Sequence, residues 1–323
     1  MNGDLRICVF HPTMGRATAS LIAAADPSAT VDVVHDVDRD PPSPETIDVL
    51  IANRVPAGLL HRCERLAWLH LTGSGTDHVP AHEIPPGLRV TTSAEVPVRA
   101  VAEFTVGALL ALGKQTHQLV DRQRRHEWSV PDATLLGGSH LVLLGLGRIG
   151  GAIARLAEPF GMRVTAVTRT AQPSAWADAV LPAARLADAV LDADHLVCAV
   201  PSTPQTRGLV SARVIAALPS TASVVNVGRA DVLDTAALVA ALTAGRLRGA
   251  VLDVHDEEPL PAASPLWDVP RLWITPHSAF RFPAEEHAVA QVFLAQLRSW
   301  RGGAPEPDAA ARCPVIGAGA GRR

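Results

Sequence analysis

The sequence has no tyrosine, only four cysteines and no excess of either charge. Each shortage excludes something. Lys plus Arg number 29 against 32 Asp plus Glu, a formal net charge of −3. Such a chain lacks the basic field on which nucleic-acid binding depends. No apolar run reaches the roughly 18 residues of a transmembrane helix. The opening segment, Met1 to Phe10, has neither the charged leader, the long apolar core nor the small-residue cleavage site of a signal peptide. Cys8, Cys63, Cys198 and Cys313 form no CxxC pair and no zinc-finger spacing with histidine. Cys8 and Cys198 lie within apolar runs, where cysteine behaves as a small hydrophobe. Reduced thiols in a cytoplasmic protein are therefore expected. The missing tyrosine, beside abundant Ala, Arg and Pro, reads as genome bias rather than mechanism. There is no internal repeat and no low-complexity block.

What the chain does have is apolar residues, 48% of the total, ample for a large core. Its 323 residues are enough for about two domains. Short β-like runs alternate with helical stretches in both halves. Leu5–Phe10, Thr30–Val34, Val49–Ala52 and Leu66–Leu71 read as strands of a buried parallel sheet, with a small-residue helix around Ala17–Ala25. The fourth run ends in Thr72-Gly73-Ser74-Gly75-Thr76-Asp77, a tight turn at the strand edge where open α/β sheets bind ligands; an ordinary βα turn looks the same. A long helix is read over Arg99 to Leu119, from Val101, Phe104, Thr105, Ala108, Leu109 and Leu112 at three-to-four spacing after Pro97. The basic stretch from Arg122 to His126 reads as a solvated helix face or a linker.

The second half opens on the strongest local signal. The run His140–Leu144 is followed at once by Gly145-Leu146-Gly147-Arg148-Ile149-Gly150, then a helix over Gly151–Glu158 and a strand over Arg163–Val167. A GxGxxG between strand and helix is a dinucleotide fingerprint. Gly145 permits the turn, Gly147 lets backbone approach a pyrophosphate, and Gly150 lets the helix pack on the strand. Arg148 and Ile149 sit at the helix N-terminus, which faces the anion. Further strands follow at His195–Val200, Ser223–Val227, Gly249–Val254 and Leu272–Thr275, with a helix capped by Asp234.

Cofactor preference follows from an absence. An NAD-type fingerprint places an acid at the end of its second strand, where it binds the ribose hydroxyls. Here that strand ends Val167-Thr168-Arg169-Thr170, and no acid lies between Glu158 and Asp178. Arg169 pairs with a 2′-phosphate, helped by the hydroxyls of Thr168 and Thr170, so NADP(H) is favoured over NAD(H). The plainer reading of Arg169 is a surface cation.

Three polar residues stand at the ends of later strands: Arg229, Glu258 just before Pro259, and His277 just after Pro276. Singly, each reads as an ion pair, a solvated acid or a surface histidine. Together, and behind a dinucleotide fingerprint, they form a candidate site.

From about Leu66 to Arg298 the chain resembles the D-isomer-specific 2-hydroxyacid dehydrogenases. The resemblance rests on Leu143–Gly150, Val200–Thr206, Asn226–Ala230, Gly249–Val254, Glu258–Leu260 and Thr275–His277, in order and at family-like spacing. The Ser174–Glu286 portion, with Ser264-Pro265-Leu266-Trp267, looks closest to the glyoxylate/hydroxypyruvate reductase branch, which commonly prefers NADPH. The resemblance implies an NAD(P)-dependent reductase of small 2-oxo acids. His277 is then the general acid/base, and Glu258 the carboxylate that orients its ring and favours its protonated form. Arg229 binds and polarises the substrate, and the Ser74 and Gly75 amides clasp its carboxylate. Val200, Pro201, Thr206, Val227 and Asp253 contact the cofactor, Asp253 near the nicotinamide amide.

It also implies an α/β fold of two Rossmann-like or flavodoxin-like domains with parallel sheets, the cofactor domain inserted in the substrate domain. The expected boundaries are 1–97 plus 284–300 for the substrate domain, 98–280 for the NAD(P)-binding domain and 301–323 for a flexible tail. Hinge closure then expels water from the reacting atoms. A homodimer through the cofactor domain is expected, with a small 2-oxo or 2-hydroxy acid as partner, no nucleic acid and no membrane.

The chain departs from the family pattern at Ala230, where Gly is common; Ala is tolerated there unless φ is positive. Phe280 is placed to shape the substrate side. The 72–77 loop has no Lys, unlike the phosphite-oxidising relatives. Two other readings stay open: the same machinery acting on a phosphonate-type substrate in secondary metabolism, and a non-catalytic NAD(P)-sensing module. No metal is expected, because His70, His78 and His82 lack the helix-face spacing of a metal motif.

Overall fold

The computed structural model describes residues 4–36, 41, 43–76 and 79–302. The chain divides into two compact units. One is built from the residues up to Pro97 with those from Phe282 onward, and the other runs from Val98 to Arg281.

The first unit holds a parallel sheet of β1 (Leu5–Phe10), β2 (Ala29–Val34), β3 (Val49–Ala52), β4 (Trp68–Leu71) and β5 (Arg89–Thr92), in the order β2-β1-β3-β4-β5. That is the flavodoxin-like order. Every residue of β3 and β4 is buried, as expected of strands covered on both faces. On one face α1 (Gly15–Ala25) packs Ala19 and Ile22 with Phe293 and Leu297 of the C-terminal helix Glu285–Arg301. On the other, Leu59 and Leu60 of α2 (Leu59–Arg62) join Leu50, Leu69 and Leu71. Trp68 anchors the first layer: Phe293 stacks on it at 4.9 Å and its Nε1 donates to Thr91 Oγ1 at 2.8 Å. His70 is fully buried, its ring nitrogens on the hydroxyls of Thr91 and Ser93, and burial pushes its pKa down to about 3. It is a neutral structural histidine.

The second unit begins with α3 (Val98–Gly113) and α4 (Thr116–Arg124) and continues through α5 (Arg148–Ala157), α6 (Leu186–Ala189), α7 (Ala212–Ala217) and α8 (Thr235–Thr243). Between them run β6 (His140–Leu144), β7 (Arg163–Thr168), β8 (Ala179–Pro182), β9 (His195–Cys198), β10 (Ser223–Asn226), β11 (Gly249–Leu252) and β12 (Leu272–Ile274). The sheet order is β12-β11-β10-β9-β6-β7-β8, parallel throughout. This is the Rossmann order with a further strand at one edge. Alternation along β6 splits the core: Leu141 and Leu143 pack with α3 and α5, while Val142 and Leu144 pack with α6, α7 and α8. Each such fully buried side chain contributes roughly 1.5–3 kcal/mol. Asp234 caps α8, accepting from Ala237 N–H at 2.9 Å. The expected α/β architecture of two parallel sheets is what forms.

The single helix expected over Arg99 to Leu119 is two. Thr134 N–H takes the Gly113 carbonyl at 2.8 Å, Gln115 Nε2 reaches Asp132 O at 2.8 Å, and Gln115 turns to φ 52°. A tertiary contact overrides a periodic pattern here. The basic stretch behind it is exposed at the end of α4, with Arg124 on Asp121 and Arg125 on Glu127. Leu66 lies outside β4 because its N–H closes a turn onto Cys63 O at 3.0 Å. Of the tail expected over 301–323, Arg301 ends the C-terminal helix, and residues 303–323 lie outside the described residues. Among the described residues no helix is long and apolar enough to cross a membrane.

Candidate active site

The fingerprint turn has the geometry its glycines imply. Gly145 follows β6 at φ 96°, and a Cβ there would lie 2.6 Å from Val200 Cγ1. A Cβ on Gly150 would lie 2.0 Å from Gly145 O, so only glycine lets α5 start this close to the strand. A Cβ on Gly147 would meet nothing within 4 Å, which leaves an open approach to the N-terminus of α5. Gly147 caps that helix without a side-chain bond, so its first amides point outward beside Arg148 and Ile149. These features fit a dinucleotide pyrophosphate.

One strand over, β7 ends at Thr168. Arg169 and Thr170 are exposed, and Thr168 Oγ1 accepts from Ala171 N–H at 3.0 Å. The Thr168 hydroxyl therefore shapes the turn that presents Arg169. Beyond β9, Val200 and Pro201 lead into a loop tied by Thr206, whose Oγ1 accepts from Thr203 N–H at 2.8 Å and donates to Pro201 O at 2.7 Å. Val227 is buried at the end of β10.

The candidate chemical groups follow β10, β11 and β12, three adjacent strands. Arg229 is half-buried in extended backbone, and its Nη1 donates to Gly228 O at 2.8 Å. A Cβ on Gly228 would sit 2.7 Å from Val200 O, so the Arg229 turn rests directly on the loop after β9. Ala230 does not adopt positive φ, and the family departure there carries no strain. His277 Nδ1 lies 2.7 Å from Glu258 Oε2, and Glu258 Oε1 accepts from His255 N–H at 2.9 Å. Burial works to raise the Glu258 carboxyl, but the bonds from His277 and the His255 amide outweigh it and hold it below the ordinary carboxylate value. Glu258 thus stays ionised beside the ring. Phe280 meets the His277 ring edge-on at 6.1 Å.

Sequence reasoning gives no role to one buried group here, Asn226, and a different role to another, Asp253. Asn226 ends β10 and binds both sides of the Arg229 turn. Asp253, read as a nicotinamide contact, accepts from Thr275 Oγ1 and from the Ser278 and Ala279 amides. The signal for Asn226 is a polar residue closing an apolar strand just before Gly228-Arg229. His255 is also passed over; burial lowers its pKa, and its Nε2 has no hydrogen-bond partner among the described residues. Ser74 and Gly75 follow β4 in the first unit, and Asp77 of the same turn lies outside the described residues. His78 lies outside them too, and among the described residues no cluster of three His, Cys, Asp or Glu could hold a metal ion.

This strand order, fingerprint turn and histidine–carboxylate pair define a dinucleotide-dependent dehydrogenase. Residues 106–279 match the model of the D-isomer specific 2-hydroxyacid dehydrogenase NAD-binding domain. The chain is 28% identical over 287 residues to a glyoxylate reductase of Thermococcus gammatolerans, covering 86% of this chain and 84% of that one. It is 32% identical over 216 residues to a glyoxylate/hydroxypyruvate reductase A of Arabidopsis thaliana, covering 66% and 68%. The structure superposes on a D-isomer specific 2-hydroxyacid dehydrogenase of Xanthobacter autotrophicus Py2, solved with NADPH and MES, with a TM-score of 0.78 at 28% identity, covering 93% and 96%. The chain belongs to the D-isomer specific 2-hydroxyacid dehydrogenases, NAD(P)-dependent enzymes, and its similarity extends to the glyoxylate/hydroxypyruvate reductase branch.

Proposed function

We propose that the protein transfers hydride between NADP(H) and a small 2-oxo or D-2-hydroxy acid of the glyoxylate or hydroxypyruvate type. The observation that carries this reading is the 2.7 Å contact between His277 and Glu258, next to the strand end that bears Arg229. Bound nicotinamide supplies the hydride in reduction and takes it back in the reverse direction. The Gly145–Gly150 turn with Arg148 and Ile149 holds the pyrophosphate, and Val200, Pro201, Thr206 and Val227 form the wall beside it. Arg169 pairs with the 2′-phosphate, helped by the Thr170 hydroxyl, at the turn that Thr168 shapes. The NADPH in the Xanthobacter relative and the missing acid after β7 support that preference.

Arg229 pairs with the substrate carboxylate and draws electron density toward the carbonyl oxygen. The amides of Ser74 and Gly75, which follow β4, are proposed as carboxylate donors of the first unit. With His277 Nδ1 on Glu258, Nε2 faces the substrate oxygen. In reduction the imidazolium gives its Nε2 proton to that oxygen, and Glu258 stabilises the charge until transfer. The ring is 42% exposed, so it regains its proton from solvent between turnovers. The functional unit is proposed to be a homodimer, supported by the outward-facing Trp128, Val130 and Leu135 of the cofactor unit.

Absorbance at 340 nm tests the proposal, with NADPH or NADH against glyoxylate, hydroxypyruvate, pyruvate and phenylpyruvate. Turnover favouring NADPH and abolished by His277→Ala is the expected result. A preference for NADH overturns the role of Arg169. Cofactor binding without turnover of any 2-oxo acid overturns the substrate class.

A further inference from the structure

Two buried polar side chains stand at neighbouring strand ends. Asn226, the last residue of β10, is 0% exposed. Its Nδ2 donates to Arg229 O at 2.9 Å and its Oδ1 accepts from Gly228 N–H at 3.0 Å. One amide therefore ties the backbone on both sides of the Gly228–Arg229 peptide. Asp253 directly follows β11 and is 2% exposed. Its Oδ1 accepts from Thr275 Oγ1 at 2.7 Å and from Ser278 N–H at 2.8 Å, and its Oδ2 accepts from Ala279 N–H at 3.1 Å. These donors bracket His277, which they flank in sequence on both sides.

The bracketed residue needs holding. His277 lies at φ 49°, in the left-handed region that a residue with a Cβ occupies only when its surroundings impose it. Its N–H also closes a tight turn onto Thr275 O at 3.0 Å. The two devices are joined, because Asp253 N–H donates to Asn226 O at 3.0 Å. An unbroken run of hydrogen bonds thus passes from the Arg229 backbone through Asn226 and Asp253 to both sides of His277. A buried carboxylate is costly without donors, and three donor groups account for this one without any cation.

We propose that Asn226 and Asp253 are positioning residues, Asn226 setting the Arg229 turn and Asp253 setting the His277 turn. The inference rests on the reading of Arg229 and His277 given above and adds what aims them. It also assigns Asp253 a task beyond any contact with nicotinamide, since its oxygens are already engaged by the His277 turn. The two tasks separate kinetically. Misplacing Arg229 weakens substrate binding, whereas misplacing His277 slows proton transfer.

The test uses the full chain, with steady-state NADPH oxidation by glyoxylate, NADPH binding by fluorescence, and thermal unfolding. Thr275→Val removes one donor to Asp253 without touching His277. It is expected to lower kcat about tenfold, with KM for glyoxylate and affinity for NADPH little changed. Thr275→Ser keeps the hydroxyl and is expected to restore kcat to within about twofold. Asn226→Ser loses the reach of the amide and is expected to raise KM for glyoxylate about tenfold with a smaller change in kcat. The proposal is overturned if Thr275→Val matches the parent, if serine fails to rescue a folded protein, or if both sites lower kcat and raise KM in the same proportion. If Asn226→Ser does not fold, the two Thr275 variants still decide the Asp253 half. His277→Ala separates the two levels of argument. Full turnover there removes the functional reading itself, whereas an inactive His277→Ala beside an unaffected Thr275→Val removes only the positioning role.

Discussion

Replacing Glu258 by Gln changes one atom and one charge, yet both carboxylate oxygens are acceptors. Oε1 takes the His255 N–H at 2.9 Å and Oε2 lies 2.7 Å from His277 Nδ1. A glutamine amide offers one acceptor and one donor, so in either orientation its NH₂ faces a donor. Turned toward His277, it requires Nδ1 to give up its proton and opposes the imidazolium. Turned the other way, it abandons the His255 amide and offers the ring only a neutral oxygen. A hydrogen bond to a charged group contributes about 1.5–3 kcal/mol. The two side chains are 36% and 42% exposed, so the lower end applies, about 1.5 kcal/mol. That corresponds to about a tenfold change in rate. The proposed reduction draws on the charged pair, so Glu258→Gln should cut kcat with glyoxylate about tenfold while affinity for NADPH is little changed. The assay is the initial rate of NADPH oxidation with glyoxylate at saturating cofactor. Undiminished turnover in a folded Glu258→Gln variant refutes the assignment of Glu258 as the partner of His277.

Three further outcomes are expected. Arg169→Asp should raise KM for NADPH by about tenfold or more while leaving NADH turnover intact, because an acid at the end of β7 repels a 2′-phosphate; equal loss with both cofactors argues against the assignment. Gly150→Ala places a Cβ 2.0 Å from Gly145 O, so overpacking of about 1–3 kcal/mol should lower Tm and weaken NADPH binding, as scanning calorimetry and fluorescence titration would read. Acid should destabilise both units, because burial holds His70 near 3 and His195 near 4. The fold binds each as the neutral ring, so the stabilisation is complete above the unfolded value of about 6.5 and falls as pH drops toward the folded values, by up to about 1.4 kcal/mol per pH unit for each histidine. Urea midpoints at pH 7.5 and 5.5 check this, and a His70→Gln variant with an unchanged pH response would contradict it.

The parts legible in the sequence are those where one residue type has one physical use. β1, β3 and β6 read at their observed limits because strands buried on both faces are apolar runs between breakers, interrupted here only by Arg6 in β1 and the leading His140 of β6. The fingerprint turn was legible because three glycines at fixed offsets answer three steric demands. Arg229, Glu258 and His277 stood out as polar residues at strand ends, and two of them meet at hydrogen-bond distance. β5 and β8 escaped notice because they are short and only partly buried, with no periodic signal. The break after α3 came from a contact with residues 132–134, about twenty positions away, which no local pattern reports. Asp253 shows the same limit: its partners Thr275, Ser278 and Ala279 lie on another turn, and only the folded sheet brings them together.

The order of strands in the second unit has a consequence for how such an enzyme changes. Arg169 follows β7, whereas Arg229, Glu258 and His277 follow β10, β11 and β12, beyond β6 and β9. With strands about 4.8 Å apart, the end of β7 stands about 14 Å from that of β10 and about 24 Å from that of β12. Substitutions so far apart act additively. On the proposed roles, a lineage can therefore exchange one electron carrier for another on one wing of the sheet while the wing assigned to the acid stays as it is, each trait drifting on its own schedule.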